Sequence, residues 1–233
     1  MENIVYDDEV VGRVQIRKSV KANRISLCLR DGNIVLVVPD KMPVKAGISF
    51  LQSKYNWILV RLKKNETTIF DENTDFRTTT FRVEIKRKPL SAFQFQLSAG
   101  VLSIFCPQDK DILAEESQAI IRQGIERVLK MEAKKYLPQL VDFLAKEYRF
   151  SYSNVSIRSS KTRWGSCSRT GNISLSYFLL TLPDELLNYV LLHELCHTQE
   201  MNHGSQFWKL MDAVTNNNAK KLRKQLKEYK TVI

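Results

Sequence analysis

The sequence predicts an α+β protein, on three observations. Apolar residues alternate with polar ones at period two through much of residues 1–110. Tight-turn and stop signals (Asp31-Gly32, Ala99-Gly100, Pro39, Pro107) divide those stretches into short strands. Beyond residue 110, apolar residues recur mainly at helical spacing, with two short strands between the helices.

Taken in order, Val10 to Ser19 and Arg24 to Arg30 read as strands. Asp31-Gly32 marks a turn into Asn33 to Val38, which Pro39 stops. Pro43 to Lys64 predicts one helix, because Ile48, Leu51, Tyr55, Ile58, Leu59 and Leu62 share a face. The pattern then recurs. Phe81 to Lys88 is like Arg13 to Lys18, and Phe93 to Leu97 with Val101 to Cys106 forms a hairpin around Ala99-Gly100. Pro107 lies 68 residues after Pro39, and each precedes a helix, the second from about Asp111 to Tyr148 with a break expected at Pro138. Two copies of a hairpin–proline–helix unit are therefore expected. Asn154 to Arg158 and Asn172 to Ser176 are further strands, separated by an irregular Lys161 to Ser168.

A helix follows from the Thr181-Leu182-Pro183-Asp184 start signal, with Thr and Asp spaced as in a capping box. Leu187, Leu191 and Leu195 give it an i, i+4, i+8 stripe. Ser205 is expected to cap the next helix, in which Phe207, Leu210, Met211 and Val214 recur. Asn216 to Asn218 interrupt, and Ala219 to Tyr229 forms a basic last helix. This organisation divides the chain into a β-rich region with one helix, 1–110, and a second domain, 111–233.

Composition narrows the class. At 43% apolar residues the chain is globular, and its length suffices for a real core. No uncharged apolar run reaches the roughly 20 residues of a membrane helix, so no membrane partner is expected. The acidic N-terminus is unlike a signal peptide. Four widely spaced cysteines (Cys28, Cys106, Cys167, Cys196) lack a C-x-x-C pair, and these features together suggest a cytoplasmic protein. Net charge is +11, from 18 basic and 12 acidic residues in 1–110 and 18 and 13 in 111–233. Such a surplus suits a soluble basic surface, and it also suits a nucleic acid or acidic partner.

All three histidines fall within eleven positions, in His193-Glu194-Leu195-Cys196-His197 and His203. On a helix, His193 and His197 project from one face one turn apart, within reach of one ion at about 2.0–2.1 Å. H-E-x-x-H also arises by chance in ordinary helices; the third histidine makes the pattern specific. From Met201 to Lys227 the only acid is Asp212, so His203 is the better third ligand. Asn202 and Gly204 allow the chain to turn His203 back toward the helix end. The spacing thus predicts Zn2+ held by His193, His197 and His203, with Glu194 as the catalytic proton acceptor and a fourth position open.

The stretches Arg163 to Ser168, Tyr189 to His197 and Asn202 to Trp208 resemble the YgjP-like zinc metallopeptidase family, over roughly Asn23 to Leu226. The resemblance implies a zincin-like catalytic domain at 111–233, a protein or peptide substrate, and the same ligand and catalytic residues. His203-Gly204-Ser205-Gln206-Phe207 is also similar to SprT-like and WLM-type proteases, which implies a DNA-associated alternative. Another alternative is a zinc-stabilised binding module without catalysis. The neighbours carry weaker expectations: Arg163 or Tyr189 as oxyanion donors, against a salt bridge or packing role; Cys167 as a small buried apolar residue before a metal neighbour; Cys196 in the core; Trp164, Phe207 and Trp208 as core or pocket walls; and Asn172 to Ser176 as an edge strand for substrate or an ordinary sheet member.

Overall fold

The computed structural model describes residues 3–30, 33–63, 68–231 and 233. The chain is α+β and forms two compact units, Met1–Thr67 and Thr68–Ile233. The sequence organisation set its boundary at 110 instead. The difference arises because the strands at 82–107 share one apolar core with the helices that follow them.

In the first unit, β1 (Asn3–Asp8), β2 (Gly12–Ser19), β3 (Ser26–Arg30) and β4 (Asn33–Pro39) form a sheet in the order β1-β2-β4-β3. β2 runs parallel to β4, with Val14 opposite Ile34, and β3 is antiparallel to β4. The expected Asp31-Gly32 turn lies outside the described residues. β1 was not anticipated: Ile4, Val5, Tyr6 and Asp7 are exposed or half-exposed and only Asp8 beside them is buried, so alternation is faint. It is tied down by that aspartate, whose carboxylate accepts from the Val10 and Val11 amides (3.0 and 3.1 Å) and from the Tyr55 hydroxyl (2.6 Å). Burial would raise the Asp8 pKa, but these bonds outweigh it and hold the group below its usual value. The same bond pushes Tyr55 up to about 12.

The predicted helix over 43–64 is two helices, α1 (Val44–Gln52) and α2 (Tyr55–Lys63). Ser53 and Lys54 separate them, and the Ser53 hydroxyl donates to the Phe50 carbonyl at 2.7 Å. A serine side chain competing for a backbone acceptor is a known way to end a helix. Leu51 and Ile58 nevertheless enter one core with Val14, Ile16, Ile34, Leu36 and Val38. The Leu62 side chain and Lys64 lie outside the described residues.

The second unit opens with β5 (Arg82–Lys88), β6 (Gln94–Ser98) and β7 (Val101–Pro107), ordered β5-β7-β6. β5 is parallel to β7 and β6 antiparallel to it, the same pairing as β2, β4 and β3. The duplicated unit read from the sequence therefore recurs in strand order and direction. Ala99 and Gly100, with φ of 48° and 73°, make the hairpin turn.

Next comes α3 (Glu115–Glu147), 33 residues long, and it continues through Pro138 where a break was expected. Ala133, Leu137, Val141 and Leu144 are buried on either side of that proline. Burial of this stripe outweighs a local loss of about 3 kcal/mol or more.

The third set, β8 (Asn154–Arg158), β9 (Gly165–Cys167) and β10 (Asn172–Ser176), is ordered β8-β10-β9. β8 is parallel and β9 antiparallel to β10, so β10 is the central strand. Of the two readings of Asn172 to Ser176, edge strand or ordinary sheet member, the structure shows the second, and β9 is an edge. Period-two alternation places a strand's faces without specifying its neighbours, which is why the sequence left both readings open.

A 3-10 turn (Tyr177–Thr181) leads to α4 (Asp184–Cys196), followed by α5 (Ser205–Val214) and α6 (Ala219–Leu226). The capping box does not form. Pro183 is the N-cap of α4, while the Thr181 hydroxyl donates to Phe178 O at 2.7 Å. Gly204, and not Ser205, occupies the N-cap of α5. Among the described residues no helix is long and apolar enough to cross a membrane.

Candidate metal centre

Helix α4 carries its apolar stripe into the core: Leu187, Leu191, Leu195 and Cys196 are all at most 1% exposed. Cys196 faces the core, as the sequence suggested. On the same helix, His193 and buried Glu194 lie near the C-terminal end, and His197 is its C-cap with αR geometry (φ −65°). The chain then turns, with the Gly204 amide 2.7 Å from Asn202 O, and His203 stands exposed just before α5.

This path brings the three histidines together. His193 Nε2 lies 3.2 Å from His197 Nε2 and 3.0 Å from His203 Nε2, and the possible donor atoms of the three residues fall within 4.8 Å of one another. Nitrogens on a tetrahedron around a zinc ion at 2.0–2.1 Å are about 3.3–3.4 Å apart, so the spacing fits one divalent cation. Phe207, fully buried on α5, backs all three rings. It stacks on His197 (centroids 4.6 Å, 27°) and meets His193 and His203 edge-on at 4.9 and 4.7 Å.

The donor chemistry also fits. His197 Nδ1 is 3.0 Å from the Glu200 carbonyl oxygen, a contact that puts the proton on Nδ1 and leaves the Nε2 lone pair for a cation. His193 Nδ1 and Glu194 Oε2 are buried with no hydrogen-bond partner among the described residues. Buried groups left so are costly unless water or another polar group completes them. Burial, followed by the neighbouring His197, His203 and Arg223, drives the His193 pKa down to about 3. His203 is lowered too, first by burial and then by His197 and Arg223. All of this favours neutral imidazoles, the form that binds metal.

Glu194 is pushed up to about 8 by burial, which the charge of Arg163 opposes. A carboxyl poised near neutrality suits proton transfer, and a nearby dication would favour its ionised form. A glycine lies beside it. A Cβ on Gly165 of β9 would lie 2.7 Å from Glu194 Oε1 and 2.8 Å from its Cγ, so only glycine admits the carboxyl there. Gly165 and Phe207 had been read as part of a motif and as core. The second could have been inferred from its place four residues after His203, one helical turn on; the first had no signal.

The remaining neighbours sort as follows. The Cys167 thiol faces Ser168 O at 3.4 Å and is not among the converging donors. The Tyr189 hydroxyl is buried, has no hydrogen-bond partner among the described residues, and is pushed up to about 12 first by burial. Trp208 donates from Nε1 to His203 O (3.1 Å) and stacks on its ring (6.0 Å, 28°).

Compared with known families, the chain matches the YgjP-like metallopeptidase domain over residues 23–229. Among solved structures it is similar to the metallopeptidase zymogen of Pyrococcus abyssi abylysin, at 26% identity over 38% of this chain and 90% of that one, with a TM-score of 0.35. It is also similar to the metallopeptidase zymogen of Methanocaldococcus jannaschii jannalysin, at 24% identity over 39% and 93%, with a TM-score of 0.35. No curated protein matches. The chain belongs to the YgjP-like metallopeptidase family, a metal-dependent peptidase family, and it is α+β.

Proposed function

We propose that the protein is a zinc-dependent peptidase in which His193, His197 and His203 hold the metal and Glu194 moves the proton. One observation carries this reading: three imidazole nitrogens converge over a shared Phe207 ring, and the next residue along the helix from the first of them is a buried carboxyl. Three protein donors suit a catalytic site better than a closed structural one. Zinc bound there supplies Lewis acidity, making water acidic near neutral pH and polarising a carbonyl.

The chain's own residues do the rest. Glu194, held against Gly165, accepts a proton from the attacking water and delivers it to the leaving amine nitrogen as the peptide bond breaks. The edge strand β9, which carries Gly165, offers a row of backbone groups along which an extended peptide can lie. We infer a cytoplasmic setting from the four unpaired cysteines.

Metal analysis and peptide hydrolysis on the wild type and Glu194→Gln test this reading. The variant should retain about one zinc per chain and lose turnover by at least roughly 10²-fold. Undiminished hydrolysis by the variant would refute the role of Glu194. Zinc retention by the wild type with no cleavage of any peptide would favour a binding module instead.

A further inference from the structure

Of the three candidate ligands, His203 has the least support from regular structure. His193 lies within α4 and His197 caps that helix, its Nδ1 3.0 Å from Glu200 O. His203 instead lies between α4 and α5, in a stretch (Met201 to Gln206) whose residues are all exposed. Fixing a ligand on such a stretch costs chain entropy. That cost subtracts from affinity unless the free protein already holds the ligand in place.

One side chain holds it at two points. Trp208, the fourth residue of α5, donates from Nε1 to His203 O at 3.1 Å and so fixes the main chain. Its ring stacks on the His203 imidazole at 6.0 Å and 28°, which restricts the side chain. Trp208 is itself well anchored. Its amide bonds to Gly204 O at 3.2 Å, and its indole packs against the main apolar core and meets Phe207 edge-on at 5.3 Å. Arg223 of α6 lies over the same indole at 5.1 Å. The third histidine is thereby tied, through one indole, to α5, to α6 and to the core. Phe207 backs all three imidazoles; Trp208 adds a hold on His203 that reaches its main chain.

We infer that Trp208 is the positioning residue for His203, and that Arg223 steadies Trp208 in that role. This rests on the metal reading above and says how one ligand of that site is presented. The other use of a half-buried indole beside a site is as a wall for bound substrate. That use is disfavoured here, because the indole N–H is given to His203 O and the ring is shared by His203 and Arg223.

The test measures zinc affinity by competition with a chromophoric chelator, in the full chain. Trp208→Leu should bind zinc about 10–100-fold more weakly than the wild type. Trp208→Phe keeps a ring and loses the donor, so its loss should be smaller, and Arg223→Gln should cost about two- to fivefold. The decisive comparison is a cycle with His203→Ala. Once that imidazole is gone, Trp208→Leu should cost less than about twofold more, because its effect passes through His203. The visible spectrum of the cobalt-loaded protein should shift in Trp208→Leu toward that of His203→Ala. A further arm needs no metal: in histidine-labelled protein, the His203 ring resonances should be sharp in the wild type and exchange-broadened in Trp208→Leu. Amide exchange in α4 should stay as in the wild type; if Trp208→Leu fails to fold, Trp208→Phe carries every arm.

Wild-type affinity and cobalt spectrum in both Trp208 variants would overturn the inference and leave the metal reading intact. The same weakening with and without His203 would also overturn it, in favour of a general packing role for the indole. If the wild type binds neither zinc nor cobalt, the metal reading fails. The metal-free arm then decides alone: unchanged His203 resonances overturn the inference, and broadened ones support it.

Discussion

The strands β2, β3 and β4 and the strands β8, β9 and β10 are joined in the same order and directions, and a helix follows each set. They differ in where a glycine relieves the contact between helix and strand. In the first, the glycine is on the helix: a Cβ at Gly47 of α1 would meet Val38 Cγ2 at 2.5 Å, so α1 lies close on an apolar strand. In the last, the glycine is on the strand, and the space at Gly165 is filled by the carboxyl of Glu194 on α4. One arrangement uses the close approach for packing alone. The other uses it to hold a titratable group out of water, and this is where we propose the chemistry takes place.

The comparison is most strongly tested by filling each space. Gly165→Val should lower kcat by roughly 10²–10⁴-fold with zinc content unchanged, because it displaces the proposed proton acceptor, Glu194, and not the proposed ligands. Gly47→Val should leave kcat alone and cost the Met1–Thr67 unit about 1–3 kcal/mol, read by hydrogen exchange. An equal loss of activity in both variants would erase the distinction.

Chelation comes next in size. Zinc at 100–1,000 times its Kd adds roughly 2.7–4.1 kcal/mol to the state that binds it. Removing it with EDTA should lower exchange protection in residues 68–233 and leave that of the first unit unchanged.

The pH dependence of the metal-free protein is a finer probe. Glu194, at about 8 when folded, binds a proton in the fold that the unfolded chain has released above about 4.3. Stability therefore falls as pH rises toward 8, by at most about 1.4 kcal/mol per unit. His193, at about 3 when folded, acts oppositely, its contribution being lost as pH falls below about 6.5. Between pH 6.5 and 8 Glu194 acts without that opposition, so stability should decline there, and Glu194→Gln should flatten the curve. The smallest effect expected is that of Tyr55→Phe, about 1 kcal/mol in the first unit through the lost bond to Asp8, without change in kcat.

Much of this was legible in the sequence because it was local. The helix bearing His193 and His197, the turn that returns His203, and both hairpins follow from spacing and turn chemistry. What escaped depends on partners distant in the chain. The central position of β10 needs β8, reached through a parallel pairing that no alternation encodes. Passage of α3 through Pro138 reflects core burial overriding a local rule. The Gly165–Glu194 contact joins residues 29 positions apart, and neither announces the other. β1 escaped for a different reason: its weak pattern is that of a strand with little buried surface.

The shared Phe207 ring makes the positions of the three imidazoles depend on one side chain that carries no donor atom. Trimming it, as in Phe207→Leu, would leave each imidazole free to rock on its own hinge. If the proposed metal site is right, affinity and choice among divalent cations should depend on the shape of this hydrocarbon wall as well as on the nitrogens in front of it.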